Sequence, residues 1–253
     1  GEAGEGAQAL IRHRAAKQVA INGADDFFKG LQQRVETLTQ SQRQNPLSMD
    51  LLISSTKRYL SKPEYRIQLD DLFADESNRL MNQLDAVGYT GFGDLDQSQF
   101  RKLIAGYESA VEPLARMASV MGRWADGRDL PMVIRLVRSL DQHANKLGSG
   151  KTHLLALRHY PAVLIFTAYG LGLTRAERWH DLHSFLRTEL PSRGTDARTL
   201  VSELFLDAWN GGKDRNWQQL EGLHNKKMPL STHLLQLMTE WRKSFDGIGI
   251  QFP

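Results

Sequence analysis

Gly148-Ser149-Gly150-Lys151-Thr152 ends as a phosphate loop ends, with a lysine and backbone N–H groups able to wrap a nucleotide's phosphates. That loop needs a glycine at position 145, where the chain has Asn145, and a buried strand leading in. Arg135 to Leu147 instead repeat their apolar residues at helical spacing. A glycine closing one helix before the next starts explains the same letters. His180 and His183 stand three apart, a separation that can bring two imidazoles to one metal ion from a helix face. No further ligand and no HExxH arrangement accompanies them, so a polar helix face is the better reading. His153 carries no pattern of its own, and His159 with Tyr160 precedes Pro161, where shaping a helix start suits them better than acid–base work.

Asp70, Asp71, Asp75 and Glu76 place four carboxylates in one short stretch, a composition used in hydrolysis and in divalent-metal binding. On a helix, adjacent residues diverge by about 100°. A solvated acidic face answering Lys57, Arg58, Lys62 and Arg66 is therefore expected. Asp94, Asp96 and Ser98 imitate the start of a calcium loop, but Gln99 occupies the sixth place, which requires glycine. No catalytic, cofactor-binding or metal-ligating set is read from this chain.

One pattern is left that suits binding. Lys57, Arg58, Tyr59, Lys62, Tyr65 and Arg66 interleave cations with aromatic rings, the composition that grips phosphates, stacks bases or meets an acidic protein surface. It is also ordinary punctuation between two helices. Trp209, Trp217 and Trp241 are open to two readings as well, since tryptophan both anchors interfaces and fills cores.

The elements that must position these residues are helical in period almost throughout. Lys17 to Ile21 is a short run with strand character, ended by the turn pair Asn22-Gly23. Helical spacing continues over Ala24–Thr39, and Asn45-Pro46 restarts the chain into a helix carrying Leu47, Leu51, Leu52 and Tyr59. Pro63 opens the next helix, which runs to Gly88, and the turn-rich stretch 89–94 marks a boundary. From Asp96 the period continues to Met121, with Pro113 expected to kink or split the helix. Further segments are expected over Met132–Leu147, His153–Leu173, Arg175–Leu190, Thr199–Trp209 and Leu230–Phe245. The fold class is thus all-α, an array of stacked helical hairpins with at most a short N-terminal strand. No repeat of fixed period supports a solenoid.

Composition bounds the function. The 253 residues are 41% hydrophobic, enough for a substantial core, and 24% charged with a formal net charge of +3. The sequence pI near 9.1 rests on a small excess of cations, not on a dominant field of one sign. With no cysteine, disulfides, thiolate zinc sites and a cysteine nucleophile are excluded. The most apolar run, Tyr160 to Leu173, is 14 residues long where a bilayer needs about 20. A core helix in a cytoplasmic, non-membrane protein is expected, and the glycine-rich start and bare finish read as cuts within a longer chain.

The string Gln18-Val19-Ala20-Ile21-Asn22-Gly23-Ala24-Asp25-Asp26-Phe27-Phe28, with an amphipathic helix after it, resembles the exit from a sirtuin-like domain in bacterial sirtuin-like proteins. The stretches at 57–60, 66–72, 160–164 and 229–234 resemble the helical region beyond such an exit, so the likeness spans most of the chain. It implies a piece of an antiphage defence protein whose sirtuin-like domain destroys NAD, with residues 1–23 as the exit segment. Residues 24–253 would then be a helical sensing, scaffolding or oligomerising region, subdivided near 88–95. The glycine-rich nucleotide fingerprint and the catalytic asparagine and histidine of that family are absent here, so no catalytic residue carries over. NAD would belong to an upstream domain. The implied partner is a phage-derived protein or further subunits of a homo-oligomeric parent, and the alternative is a nucleic-acid-binding module using residues 57–66.

Overall fold

A computed structural model describes residues 47–87, 95–146, 155–191, 198–213 and 215–246. The chain divides into two units, 1–48 and 49–253, and every described helix and strand belongs to the second. The expected strand at Lys17–Ile21, the helix at Ala24–Thr39, the Asn45-Pro46 start, the 89–94 turn and the Gly148–His153 stretch lie outside the described residues.

Helix α1, Met49–Leu60, sets Asp50 in its first turn and Lys57 and Arg58 in its last, each sign matched to the helix dipole. Leu47 precedes it instead of belonging to it. Its inner face is Leu52, Ile53 and Thr56, and the buried Thr56 hydroxyl donates to the Leu52 carbonyl at 2.8 Å. Pro63 then starts a 3-10 turn, Pro63–Tyr65, where its missing N–H costs nothing, and the turn runs directly into α2, Arg66–Val87. Leu69, Phe73, Leu80 and Leu84 form the buried stripe of α2.

Helix α3, Gln97–Trp124, begins at a reciprocal cap: Asp96 accepts from the Gln99 N–H at 2.8 Å while the Gln99 side chain accepts from the Asp96 N–H at 3.0 Å. The calcium-loop mimicry of these residues is thus a helix start. The expected split at Pro113 does not occur, and α3 is continuous across it. A mid-helix proline costs about 3 kcal/mol. On either side Val111, Leu114, Ala115, Met117 and Ala118 are all buried, and each large apolar side chain returns about 1.5–3 kcal/mol, so packing wins.

Helix α4, Leu130–Lys146, is succeeded, after a 3-10 turn at Leu157–His159, by α5, Tyr160–Arg175. The most extensive packing in the unit is α5 on α3, and α1 and α2 also pack on α3. At the α3–α5 crossing the backbones nearly touch. A Cβ on Gly122 would stand 2.7 Å from the Tyr169 carbonyl oxygen, and one on Gly172 would stand 2.5 Å from that of Ser119.

The expected helix Arg175–Leu190 is shorter than its apolar pattern. Glu177 takes a positive φ of 54°, so the chain turns before α6, Trp179–Leu186, and then forms β1, Glu189–Leu190. This pairs antiparallel with β2, Arg198–Thr199, Glu189 opposite Thr199 and Leu190 opposite Arg198. The described strands therefore come late in the chain. The expected Thr199–Trp209 helix is only α7, Leu200–Leu204, because Phe205 turns extended and Trp209 goes into the core. Two 3-10 turns, Asn210–Lys213 and Arg215–Gln219, precede α8, Pro229–Asp246. The all-α array expected from periodicity is what forms. Among the described residues no helix is long and apolar enough to cross a membrane.

Candidate functional site

The end of α1, the 3-10 turn and the start of α2 bring Tyr59, Lys62, Pro63 and Arg66 to one wall of a cleft. The opposite wall is the α3–α4 turn, with Trp124, Asp126, Arg128 and Asp129. Between them lies a volume of about 110 Å³, floored by Leu69 and Met132.

Of the six sequence candidates, Tyr59, Lys62 and Arg66 line the cleft, Tyr65 is in ring contact with the first two, Arg58 is in contact with the Tyr65 ring, and Lys57 stands in the last turn of α1. The Tyr59 and Tyr65 rings are 5.9 Å apart and tilted by 54°. Arg58 lies 5.7 Å and Lys62 5.9 Å from the centre of the Tyr65 ring, so two cations approach the one tyrosine. Lys57, Arg58, Lys62 and Arg66 are exposed, and Tyr59 and Tyr65 are half-buried. Lys62 also approaches Glu64 at 3.6 Å, with both side chains more than half exposed, a pairing worth little in water.

Trp124 completes the site, and no sequence signal marked it. The helix ends there because Ala125 turns extended while its N–H bonds to the Met121 carbonyl at 2.9 Å. Gly127 then adopts φ +95°, a conformation that L side chains rarely enter. The indole is left 59% exposed, with the Arg123 guanidinium 4.6 Å from its ring centre. Asp126 and Arg128 pair at 2.7 Å on the same turn.

Behind this rim the structure is braced. Asp129, 1% exposed in its side chain, accepts from the Tyr169 hydroxyl at 2.8 Å and from Arg178 at 3.0 Å. Arg178 also donates to the Met121 and Gly122 carbonyls at 3.1 and 2.9 Å, closing the C-terminus of α3, and to Asp181 at 2.8 Å. Burial works against the charge of Arg178, but the hydrogen bonds and charges of Asp129 and Asp181 outweigh it and hold its pKa above the ordinary value. Burial, reinforced by Asp129, pushes the Tyr169 hydroxyl well up.

Apart from Asp70, which also lines the cleft, the remaining candidates lie away from it or on other faces of its helices. Asp70 is half-buried and Asp71 and Asp75 are exposed, but Glu76 is buried at 3% and pairs with Arg79 at 2.8 Å, so the acidic face is not wholly solvated. Its position on the inward side of α2, between Phe73 and Leu80, puts it there. Desolvation raises the Glu76 pKa against the opposing pull of Arg79. His180 and His183 are both exposed, and among the described residues no three His, Asp or Glu side chains gather to hold a metal ion. His159 lies 3.4 Å from Asp141, a buried carboxylate that also takes Arg198 and Asn145, each at 3.1 Å. Tyr160 donates to Glu108 at 2.8 Å, and His233 of α8 meets the same oxygen at 2.5 Å.

Trp209, Trp217 and Trp241 are 3%, 0% and 5% exposed. Trp217 packs edge-on to Phe100 at 5.3 Å and to Tyr160 at 5.2 Å, and Trp209 stacks on Tyr160 at 5.8 Å. Of the two readings open for these three, core packing is the one their burial supports. No protein-family model, curated protein or solved structure matches the chain.

Proposed function

We propose that this chain is a non-catalytic helical sensing and interaction module that controls an NAD-hydrolysing, sirtuin-like effector domain in bacterial antiphage defence. It engages a protein partner through the cleft between residues 59–66 and Trp124. The effector half of this reading rests on the sequence resemblance at Gln18–Phe28. The interaction half rests on one observation: a tryptophan more than half exposed at the rim of a cleft whose opposite wall interleaves cations with tyrosines. Exposed aromatics and arginines around a small apolar depression are what protein hot spots are made of. Phage-derived protein or another subunit of a homo-oligomeric parent fits this surface, and NAD belongs to the effector domain.

Nucleic acid is the second reading, favoured by four cations within residues 57–66. The cleft itself mixes signs, since Asp70, Asp126 and Asp129 also line it, and these carboxylates oppose a phosphate backbone. Binding to DNA or RNA that falls steeply with added salt would move the assignment to that reading.

The test uses the intact parent protein in bacteria challenged with phage, with NAD measured over time. Wild type loses NAD on infection, Trp124→Ala and Arg66→Glu lose markedly less at equal protein level, and the 253-residue chain alone leaves NAD untouched. An intact wild type that never depletes NAD overturns the effector half. Variants that deplete it normally overturn the interaction half.

A further inference from the structure

The cleft also carries information on the chemistry of its partner, a step that rests on the interaction reading. A volume of about 110 Å³ is well below the roughly 300–1,000 Å³ of small-molecule pockets and suits one large side chain. Its apolar lining comes from Leu60, Pro63, Leu69 and Met132, with the exposed indole of Trp124 over one edge.

Polar groups at the mouth divide by what they already hold. Arg128 is engaged by Asp126 at 2.7 Å, and Asp129 is engaged by Arg178 and Tyr169. Lys62 has a long, solvent-exposed ion pair with Glu64 and lies over the Tyr65 ring at 5.9 Å, and Arg66 has no ion pair among the described residues. Residues 57–70 together carry four cations against two carboxylates. Asp70 on the same wall also has no ion pair among the described residues, so the unengaged or weakly engaged charge in the cleft is two cations against one carboxylate, net positive. A planar guanidinium in that position is shaped for a carboxylate.

We infer that the cleft takes a single aromatic or leucine side chain from a partner protein segment, with glutamate or aspartate flanking it to meet Arg66 and Lys62. The apolar anchor displaces water from beneath Trp124, and the carboxylates fix its direction and speed its approach. A basic segment with the same anchor meets uncompensated cations and is rejected.

The probes are three fluorescein-labelled nine-residue peptides in a glycine-serine background, read by fluorescence anisotropy against the full chain at moderate salt. One carries a central phenylalanine with two glutamates on each side, the second replaces the glutamates by lysine, and the third replaces the phenylalanine by alanine. The acidic phenylalanine peptide binds at least tenfold more tightly than either of the others. Trp124→Ala weakens it at least tenfold with the thermal midpoint unchanged, and Arg66→Glu moves preference toward the lysine peptide. Equal binding of the lysine or alanine peptide, or binding indifferent to both substitutions, overturns the inference. If no peptide binds while Trp124→Ala still prevents NAD loss in the intact protein, the partner chemistry falls and the interaction reading stands. If the acidic peptide binds as described while NAD loss is indifferent to the variants, the partner chemistry holds and the control of the effector falls.

Discussion

Helix α3 meets its neighbours in two opposite ways within three residues. At Gly122 it lies against α5 with no room for a methyl group, and at Trp124 it ends beside an open cleft facing the α1–α2 turn. The first contact is backbone on backbone and tolerates no change of volume. The second leaves a large aromatic side chain more than half in water. The crossing serves stability, and the cleft is where the proposed recognition falls, so substitutions should separate the two.

The largest loss is expected at the brace that joins them. Arg178→Met leaves Asp129 buried with only the Tyr169 hydroxyl as partner, and removing one member of such a pair costs about 3–5 kcal/mol. Chemical denaturation reads this directly, and a cost below about 1 kcal/mol would show that the brace is decorative. Gly172→Ala comes next. Alanine gains about 1 kcal/mol in helix propensity, but its Cβ would press on a carbonyl oxygen 2.5 Å away and on the backbone of Gly122 and Arg123. Overpacking of this kind costs about 1–3 kcal/mol, so the net change should be destabilising. A stabilised Gly172→Ala protein would mean that the helices can slide apart.

Glu76→Gln is expected to have a smaller effect that depends on pH. The native pKa of Glu76 is raised, chiefly by desolvation, so the folded protein binds this proton more tightly than the unfolded chain does. Its contribution to stability is greatest with the carboxyl protonated and falls as pH rises from the ordinary carboxylate range through the native pKa. The stability of Glu76→Gln relative to wild type should therefore improve as pH is taken from about 4 to about 7. A relative stability that declines over that range would reverse the assigned direction. The smallest effect on folding belongs to Trp124→Ala, within about 1 kcal/mol, the worth of the exposed contact between its ring and Arg123. A large loss of stability there would make the cleft part of the core and end the contrast.

Much of the frame was legible in the sequence because its signals are local. Pro63 restarts the chain, the α2 pattern stops before Gly88, and Asp96 with Gln99 caps α3 through bonds between residues three apart. The meeting of Arg58, Tyr59, Lys62 and Tyr65 follows from the same closeness in sequence, across the end of α1 and the 3-10 turn after it. What depended on distant packing was not. Trp124 and Trp217 are the same residue type, yet Trp217 lies in a stretch with no helical period and is fully buried between Phe100 and Tyr160. Trp124 ends a strongly periodic helix and stays in water. Glu76 misled similarly, since local rules assign it to solvent and the apolar packing beside it decided otherwise, and of the kink or split expected at Pro113 the split is absent.

The Arg178 side chain closes the end of α3 from a position 56 residues away in sequence. The angle at which the Trp124 rim is presented is therefore under remote control. A substitution at the α5–α6 joint is expected to shift this rim while leaving every residue that lines the cleft unaltered. A survey confined to the residues that line the cleft would miss position 178.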